Sequence, residues 1–245
     1  MKFLSIFFLL CLFTEQVVAG EIRVAVASNF ANTLKVIAAR FEQKTGHHLI
    51  ISVGSTGKHY AQIKNGAPFD VFFAADTYRP ELLEKQGIAL AGSRFTYAQG
   101  QLVLWSPDKQ LVDSEARVLE SSNFRYLAVA NPKLAPYGRA AQQVLQKKGL
   151  WDSLRSRMVR GENIGQTFQF VKSGNAQLGF VAASQVKSEP ASLAGSLWVV
   201  PEGSYTAINQ QVVLVKDNPL NNAFIAFVRS DEVLKIIHES GYKIP

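Results

Sequence analysis

The order of segments in this sequence predicts an α/β protein made of two lobes. Two observations carry that expectation. Short apolar runs alternate with helix-length amphipathic segments along most of the 245 residues, which is the rhythm of βαβ units with helices over both faces of a sheet. The rhythm then shifts after Gly100, where a strand-like run leads into a long polar stretch before the alternation resumes. Short crossings between two lobes fit this better than one long sheet. There is no internal repeat at a fixed period and no low-complexity linker.

Each element has its own local justification. "IRVAVA" (22–27) precedes "NTLKVIAARFEQKTG", in which Leu34, Ile37, Ala38 and Phe41 fall at helical spacing and Gly46 supplies a C-cap. "HLIISV" (48–53) precedes the helix-like "KHYAQIKNG", and "FDVFFAA" (69–75) precedes "YRPELLEKQG". "QLVLWS" (101–106) reads as a strand and the polar stretch to about residue 124 as loop. "YLAVA" (126–130) feeds "NPKLAPYG" and the helix "RAAQQVLQKKG", while "MVRGEN" feeds "IGQTFQFVKSG". "AQLGFVAAS" (176–184) and "QQVVLVKD" (210–217) are strands, and "NNAFIAFVRSDEVLKIIHESG" closes the chain as one or two helices. The expected division is lobe 1 at 20–100, lobe 2 at 101–206 and a return to lobe 1 at 207–245.

Residues 1–19 stand apart. Lys2 supplies a short positive region, "FLSIFFLLCLF" an apolar core and "VVA" a small-residue cleavage site before Gly20, the three parts of a secretory signal peptide. The apolar run is too short to span a bilayer comfortably. The one cysteine, Cys11, lies in that segment behind bulky Leu9 and Leu10, so lipidation is not expected. The exported chain is then expected to lack a thiol, which excludes thiolate catalysis, cysteine metal sites and cysteine-tethered cofactors. A core of this size holds together without disulfides.

The net charge is +7, and losing Lys2 with Glu15 leaves it unchanged. A basic exported protein can meet an anionic ligand, a membrane surface or nucleic acid. The cations are scattered, and the densest run, "QKK" at 146–148, sits near a helix end, where the macrodipole suits cations. Nucleic acid is therefore not an expected partner.

Four strand-to-helix junctions carry the candidate chemistry: "ASN", "GST", "PYG" and "ENIG". Ligands in open α/β sheets bind at the carboxyl ends of strands. A helix N-terminus offers unsatisfied N–H groups and partial positive charge, so several ends facing one cleft make an anion site without Lys or Arg. The hydroxyls of Ser28, Ser55, Thr56 and Tyr137 and the amide of Asn29 can add donors. Gly54 and Gly57 permit close backbone approach. Each junction alone also reads as an ordinary helix cap, and it is their recurrence at one strand end that favours the anion site.

Other chemistry finds little support. "GSTGK" fails as a P-loop because the first glycine position is Ser52 and Lys58 is followed by His59. His47, His48, His59 and His238 show no zinc-ligand spacing. Asp70 and Asp76 flank a strand, where an ion-pair or capping role is the expectation. No nucleophile elbow is present, and the sixteen Phe and three Trp read as core.

The stretches "ASNF", "GSTGK", "AQIKNGAPFDVFFAAD", "APYG", "ENIGQ" and "LGFVA", in this order, resemble the exported molybdate-binding proteins of ABC transporters. The resemblance runs from about residue 21 to the C-terminal "GY", and "QIKNGAPFDVFFAAD" is its most specific piece. It implies a type II periplasmic-binding-protein fold: two α/β lobes, each a mixed, mostly parallel sheet flanked by helices, with two crossings at a hinge and an oxyanion in the cleft. It implies ligand roles for Ser28 with Asn29 beside it, for Thr56 with Ser55 next to it, for Tyr137, and for Ile164 through its backbone N–H. Some members have a ligand tyrosine in the strand after "LGFV", where this chain has Ala182. The branch with Asn at the first site and Tyr in "PYG" lacks it too, and the Tyr137 hydroxyl is expected to take its place.

The resemblance further implies molybdate or tungstate as ligand, held as the oxyanion with no side chain bound directly to the metal. No cofactor and no catalysis are expected. The expected setting is a periplasmic monomer that serves inner-membrane ABC permease subunits. A site of neutral donors suits a fully ionised tetrahedral dianion and disfavours hydrogen phosphate, whose proton finds no acceptor. Sulfate is the alternative ligand within this class. Tetrapyrrole-building deaminases share the architecture but tether a cofactor through cysteine, and a regulator's effector domain would need a DNA-binding region in place of an export signal. Lys58 and Arg139 follow the motifs either to steer the anion or as solvated surface charges.

Overall fold

The computed structural model describes residues 19–193 and 195–244. The expected signal peptide and Cys11 lie outside the described residues, apart from Ala19. Among the described residues, ten strands form two five-stranded sheets, one in each lobe.

The first lobe opens with β1 (Glu21–Ala27) and α1 (Ala31–Thr45), then β2 (His48–Gly54) and α2 (Thr56–Lys64), then β3 (Val71–Ala74) and α3 (Tyr78–Lys85). The apolar stripe read from the sequence is the buried one: Leu34, Ile37, Ala38 and Phe41 of α1 are all inside. Burying each large side chain contributes roughly 1.5–3 kcal/mol. Gly46 ends α1 in the left-handed conformation, φ 72°, and donates to the Glu42 carbonyl. β4 (Phe95–Gly100) then leads directly into β5 (Leu102–Ser106) of the second sheet.

The second lobe holds β6 (Leu127–Ala130), α4 (Pro136–Lys147), β7 (Met158–Gly161), α5 (Ile164–Lys172), β8 (Leu178–Ala182), α6 (Ala183–Lys187) and β9 (Ser196–Val199). The chain returns to the first sheet as β10 (Ile208–Leu214) and ends with α7 (Pro219–Val228) and α8 (Asp231–Glu239).

The sheets share one plan. The orders are β2-β1-β3-β10-β4 and β7-β6-β8-β5-β9. β1 pairs in parallel with β2 and β3, and β6 with β7 and β8. Antiparallel pairs occur where the crossing strands join: β10 with β3 and β4, and β5 with β8 and β9. Both sheets are therefore mixed, because a strand that enters from the other lobe is not bound by the right-handed βαβ connection.

Two strands, β4 and β9, are absent from the sequence reading, and several boundaries differ from it. β4 is interrupted by Thr96 and Gln99, which hide its strand character, and β9 has only four residues. The run 176–184 is a strand only to Ala182, after which α6 begins. The chain closes on two helices, split where Ser230 caps α8 by accepting from Val233 N–H. In the polar stretch to residue 124, Val118, Leu119 and Phe124 are buried in the second lobe's core.

Candidate functional site

All four candidate junctions are strand-to-helix turns: β1 to α1, β2 to α2, β6 to α4 and β7 to α5. Two belong to each sheet. They meet at a cavity between the lobes, and Ser28, Asn29, Ser55, Thr56, Tyr137 and Ile164 all line it. Its free volume is only ≈ 10 Å³, room for about one small bound species. That is the scale of one small inorganic ion.

Each hydroxyl at this cavity already accepts a hydrogen bond. Ser28 Oγ accepts from Gly165 N–H across the cleft at 3.0 Å. Ser55 Oγ accepts from Lys58 N–H at 3.3 Å as the N-cap of α2. Thr56 Oγ1 accepts from Ala75 N–H at 3.0 Å. The Tyr137 hydroxyl accepts from Gln210 Nε2 at 3.3 Å. An oxygen occupied in this way keeps its own proton for a further partner. Among the described residues, the backbone N–H groups of Asn29, Thr56, Tyr137 and Ile164 have no protein acceptor either. These are the first-turn donors that an α-helix leaves unsatisfied. Burial pushes the Tyr137 phenol well above its ordinary value, so it stays protonated and can serve as a donor.

The supporting residues come from elsewhere in the chain, outside the four junctions. Gln210 of β10 is fully buried and accepts at Oε1 from Asn29 Nδ2 (2.7 Å) and the Tyr97 hydroxyl (3.0 Å). The Tyr242 hydroxyl donates to the Asn29 carbonyl at 2.7 Å and accepts from Ser184 Oγ at 3.0 Å. Burial raises the Tyr242 phenol to about 12, so it too remains a donor. Asn163, which lines the cavity beside Ile164, caps α5 by accepting from Gln166 N–H. A polar residue within an apolar strand, such as Gln210 in "INQQVVL", is the kind of signal that could have pointed to this network.

The lobes touch around the cavity. Gly57 N–H donates to the Leu134 carbonyl at 2.9 Å, and a Cβ at Gly57 would come within 3.0 Å of the Leu134 backbone. Close approach thus explains Gly57. Gly54 has a different reason, because a Cβ there would lie 2.8 Å from the His59 ring. Buried Arg79 pairs with Asp76 and donates to the Lys133 carbonyl at 2.9 Å, bridging the lobes. Asp76 also caps α3 by accepting from Arg79 N–H, and Asp70 pairs with Lys216 at 2.9 Å. Both carboxylates take the structural roles expected of them.

Lys58 forms a half-exposed ion pair with Glu162 of the other lobe at 3.0 Å, and Arg139 is exposed on α4. Neither lines the cavity. Ala182 is fully buried at the end of β8. Among the described residues, no group of three or more His, Cys, Asp or Glu could hold a metal ion, and no helix is long and apolar enough to cross a membrane.

A cavity at the meeting of two lobes, walled by neutral donors, is the architecture of a receptor for a small anion. The sequence profile of the family described as "Bacterial extracellular solute-binding protein" matches residues 22–243. The chain belongs to this family. It is 49% identical over 227 residues to the molybdate-binding protein ModA of Azotobacter vinelandii, covering 91% of this chain and 90% of that protein. It is 44% identical over 227 residues to ModA of Rhodobacter capsulatus, covering 91% and 88%. The solved structure of the Azotobacter vinelandii periplasmic molybdate-binding protein superposes with a TM-score of 0.88 at 44% identity, covering 91% of this chain and 99% of that one. The sulfate-binding protein SubI of Mycobacterium tuberculosis shares the fold, with a TM-score of 0.71 at 16% identity over 92% of this chain and 87% of that one.

Proposed function

We propose that this chain is a periplasmic receptor that captures molybdate, and also tungstate, and delivers it to the inner-membrane subunits of an ABC permease. The carrying observation is the convergence of four helix N-termini on one ion-sized cavity, whose hydroxyls each accept a hydrogen bond and keep a proton to give. The likeness to two molybdate-binding proteins above 40% identity supports the choice of oxyanion. In this reading Ser28, Asn29, Ser55, Thr56, Tyr137 and Ile164 hold the ion, with Ile164 acting through its N–H alone.

Neutral donors spread a dianion's charge over several dipoles without placing a full counter-charge beside it. An oxyanion that carries a proton has no place to donate it, so hydrogen phosphate is rejected. Sulfate keeps the charge but is smaller, and in this reading the spacing of the donors, set for the larger tetrahedron, is what separates it from molybdate and tungstate. Because donors come from both lobes, the ion binds the closed form more tightly than the open one and draws the lobes together. No chemistry is performed on the ligand.

Calorimetric titration of residues 20–245 with molybdate, tungstate, sulfate and phosphate tests this. Tight binding of molybdate and tungstate, with sulfate and phosphate far weaker, is expected. A response to sulfate alone would replace the reading with a sulfate receptor. Tyr137→Phe is expected to weaken molybdate, and an unchanged affinity would remove its hydroxyl from the set that matters for binding.

A further inference from the structure

The C-terminal tail lies against both lobes. α8 ends at Glu239, and Gly241 follows in a left-handed turn, φ 92°. A Cβ there would come within 3.0 Å of the Lys187 side chain in α6 of the second lobe. The turn sends Tyr242 back into the core of the first lobe, where it is 3% exposed and its ring meets Phe30 edge-on at 5.5 Å. Lys243 then exchanges two backbone hydrogen bonds with Gln99 of β4, at 2.8 and 3.0 Å. Its ammonium pairs with Glu202, on the crossing that returns from β9 to β10.

The Tyr242 hydroxyl has a fixed direction of donation. A backbone carbonyl can only accept, so the 2.7 Å contact to the Asn29 carbonyl takes the one phenol proton. The 3.0 Å contact with Ser184 Oγ is then donated by Ser184. Ser184 Oγ itself lies 3.5 Å from the Asn29 carbonyl, beyond the ordinary range of an O–H···O bond. Ser184 therefore reaches the Asn29 turn through Tyr242. Asn29 and Tyr242 belong to the first lobe, and Ser184 to α6 of the second. The chain crosses between lobes at β4–β5 and β9–β10. The Ser184–Tyr242 bond lies at neither crossing, so any parting of the lobes stretches it.

This link holds the first turn of the candidate site. Ser28 N–H donates to the Gly54 carbonyl at 2.9 Å, and Tyr242 holds the Asn29 carbonyl one residue later. We infer that Tyr242 is a positioning residue for oxyanion capture: it fixes the Asn29 turn and clamps it to Ser184 of the second lobe, so that the tail favours the closed form without touching the ion. The inference rests on the oxyanion reading above. Asn29 lines the cavity, whereas Tyr242 and Ser184 do not. Both act on affinity through the turn and through closure, because a ligand of the closed form binds in proportion to how often that form is populated.

Two variants test the clamp. Tyr242→Phe keeps the ring and removes the hydroxyl. Ser184→Ala removes the partner in the second lobe and leaves the Asn29 contact in place. Both are compared with the parent by stopped-flow and calorimetry with molybdate, and by melting without ligand. Ser184→Ala is expected to release molybdate about three- to tenfold faster, the span of one hydrogen bond. Its ligand-free melting temperature should hardly change, since the open form lacks the bond. Tyr242→Phe is expected to bind molybdate at least about tenfold more weakly and to melt lower, because it also strands the buried Asn29 carbonyl. In the Tyr242→Phe background, Ser184→Ala should cost less than about twofold.

A Tyr242→Phe protein that melts lower but binds as tightly as the parent would make Tyr242 a purely structural residue and overturn the inference. So would unchanged release from Ser184→Ala, or a Ser184→Ala effect of equal size in both backgrounds. If Tyr242→Phe does not fold, Ser184→Ala decides: faster release at an unchanged ligand-free melting temperature supports the clamp, and unchanged release overturns it. A parent protein that binds no oxyanion would instead overturn the functional reading. A parent that binds molybdate, with both variants binding equally well, overturns the clamp alone.

Discussion

Thr56 illustrates how a single residue is committed to its task. Its Oγ1 accepts from Ala75 N–H and its backbone N–H opens α2, so its hydroxyl proton is left for the ion proposed to bind here. Thr56→Val strands the Ala75 donor and removes one cage donor. The cost is about 1–3 kcal/mol, expected in calorimetry as roughly ten- to a hundredfold weaker molybdate binding. Thr56→Ser keeps the oxygen and should stay within about threefold. His59 makes a different commitment. Burial holds its pKa below the ordinary 6.5, outweighing its hydrogen bond to Gln62. The folded state therefore resists a proton that the unfolded chain takes up. Stability from this group is whole above about pH 6.5 and falls as the pH drops below it. Urea unfolding should show a loss between pH 7.5 and 5.5 that is smaller in His59→Gln.

At the scale of elements, the first turns of the helices dock the lobes, beside the part proposed for them in holding the ion. Gly57 in α2 and Gly165 in α5 spend their N–H groups across the cleft, on the Leu134 carbonyl and Ser28 Oγ. A Cβ at Gly165 would come within 3.1 Å of the Ser28 side chain. Gly57→Val should therefore obstruct closure and leave the separate lobes intact. Stopped-flow measurement is expected to show faster molybdate release and at least about tenfold weaker affinity, with the ligand-free melting temperature nearly unchanged. The crossing between β4 and β5 is equally constrained. A Cβ at Gly100 would fall 2.0 Å from the Tyr137 hydroxyl and 2.7 Å from Gln210 Nε2. Gly100→Ala should thus lower both affinity and stability, because it displaces buried groups with no room to move.

At the scale of the whole molecule, the lobes are held together by short polar contacts, to which the proposed ion would add a bridge. Arg79 to the Lys133 carbonyl and Lys58 to Glu162 span the same gap. The half-exposed Lys58 pair adds little, whereas buried Arg79 acts as a latch. Arg79→Ala should weaken binding chiefly through faster release. Ligand binding to the folded state alone raises stability by about 2.7 kcal/mol at a hundred times Kd. In a protein of this size that is a rise of roughly 5–11 °C in melting temperature. With net charge +7 but no charged side chain at the cavity, added salt should slow association while leaving the dissociation rate nearly constant.

Local pattern alone placed most of the strands and helices in order, though not β4, β9 or α6, and it picked out two lobes and the four junctions where an anion could meet helix ends. Those features depend on near neighbours: apolar spacing in α1, Gly46 at its end, and small polar residues ahead of α2 and α5. Tyr137 was a candidate because it sits in such a turn, and Ile164 only through the family resemblance. Gln210, Tyr97, Tyr242, Ser184 and Arg79 were not, since a buried polar residue in a strand or tail has a role only through partners that the fold brings from far along the chain. Asn29 and Gln210 are 181 positions apart. Tertiary structure also decided between like residues: Gly57 serves contact between lobes, Gly54 makes room for His59, and Lys58 meets Glu162 away from the cavity. Sequence places donors at the ends of helices, but only packing determines which proton each hydroxyl has left to give.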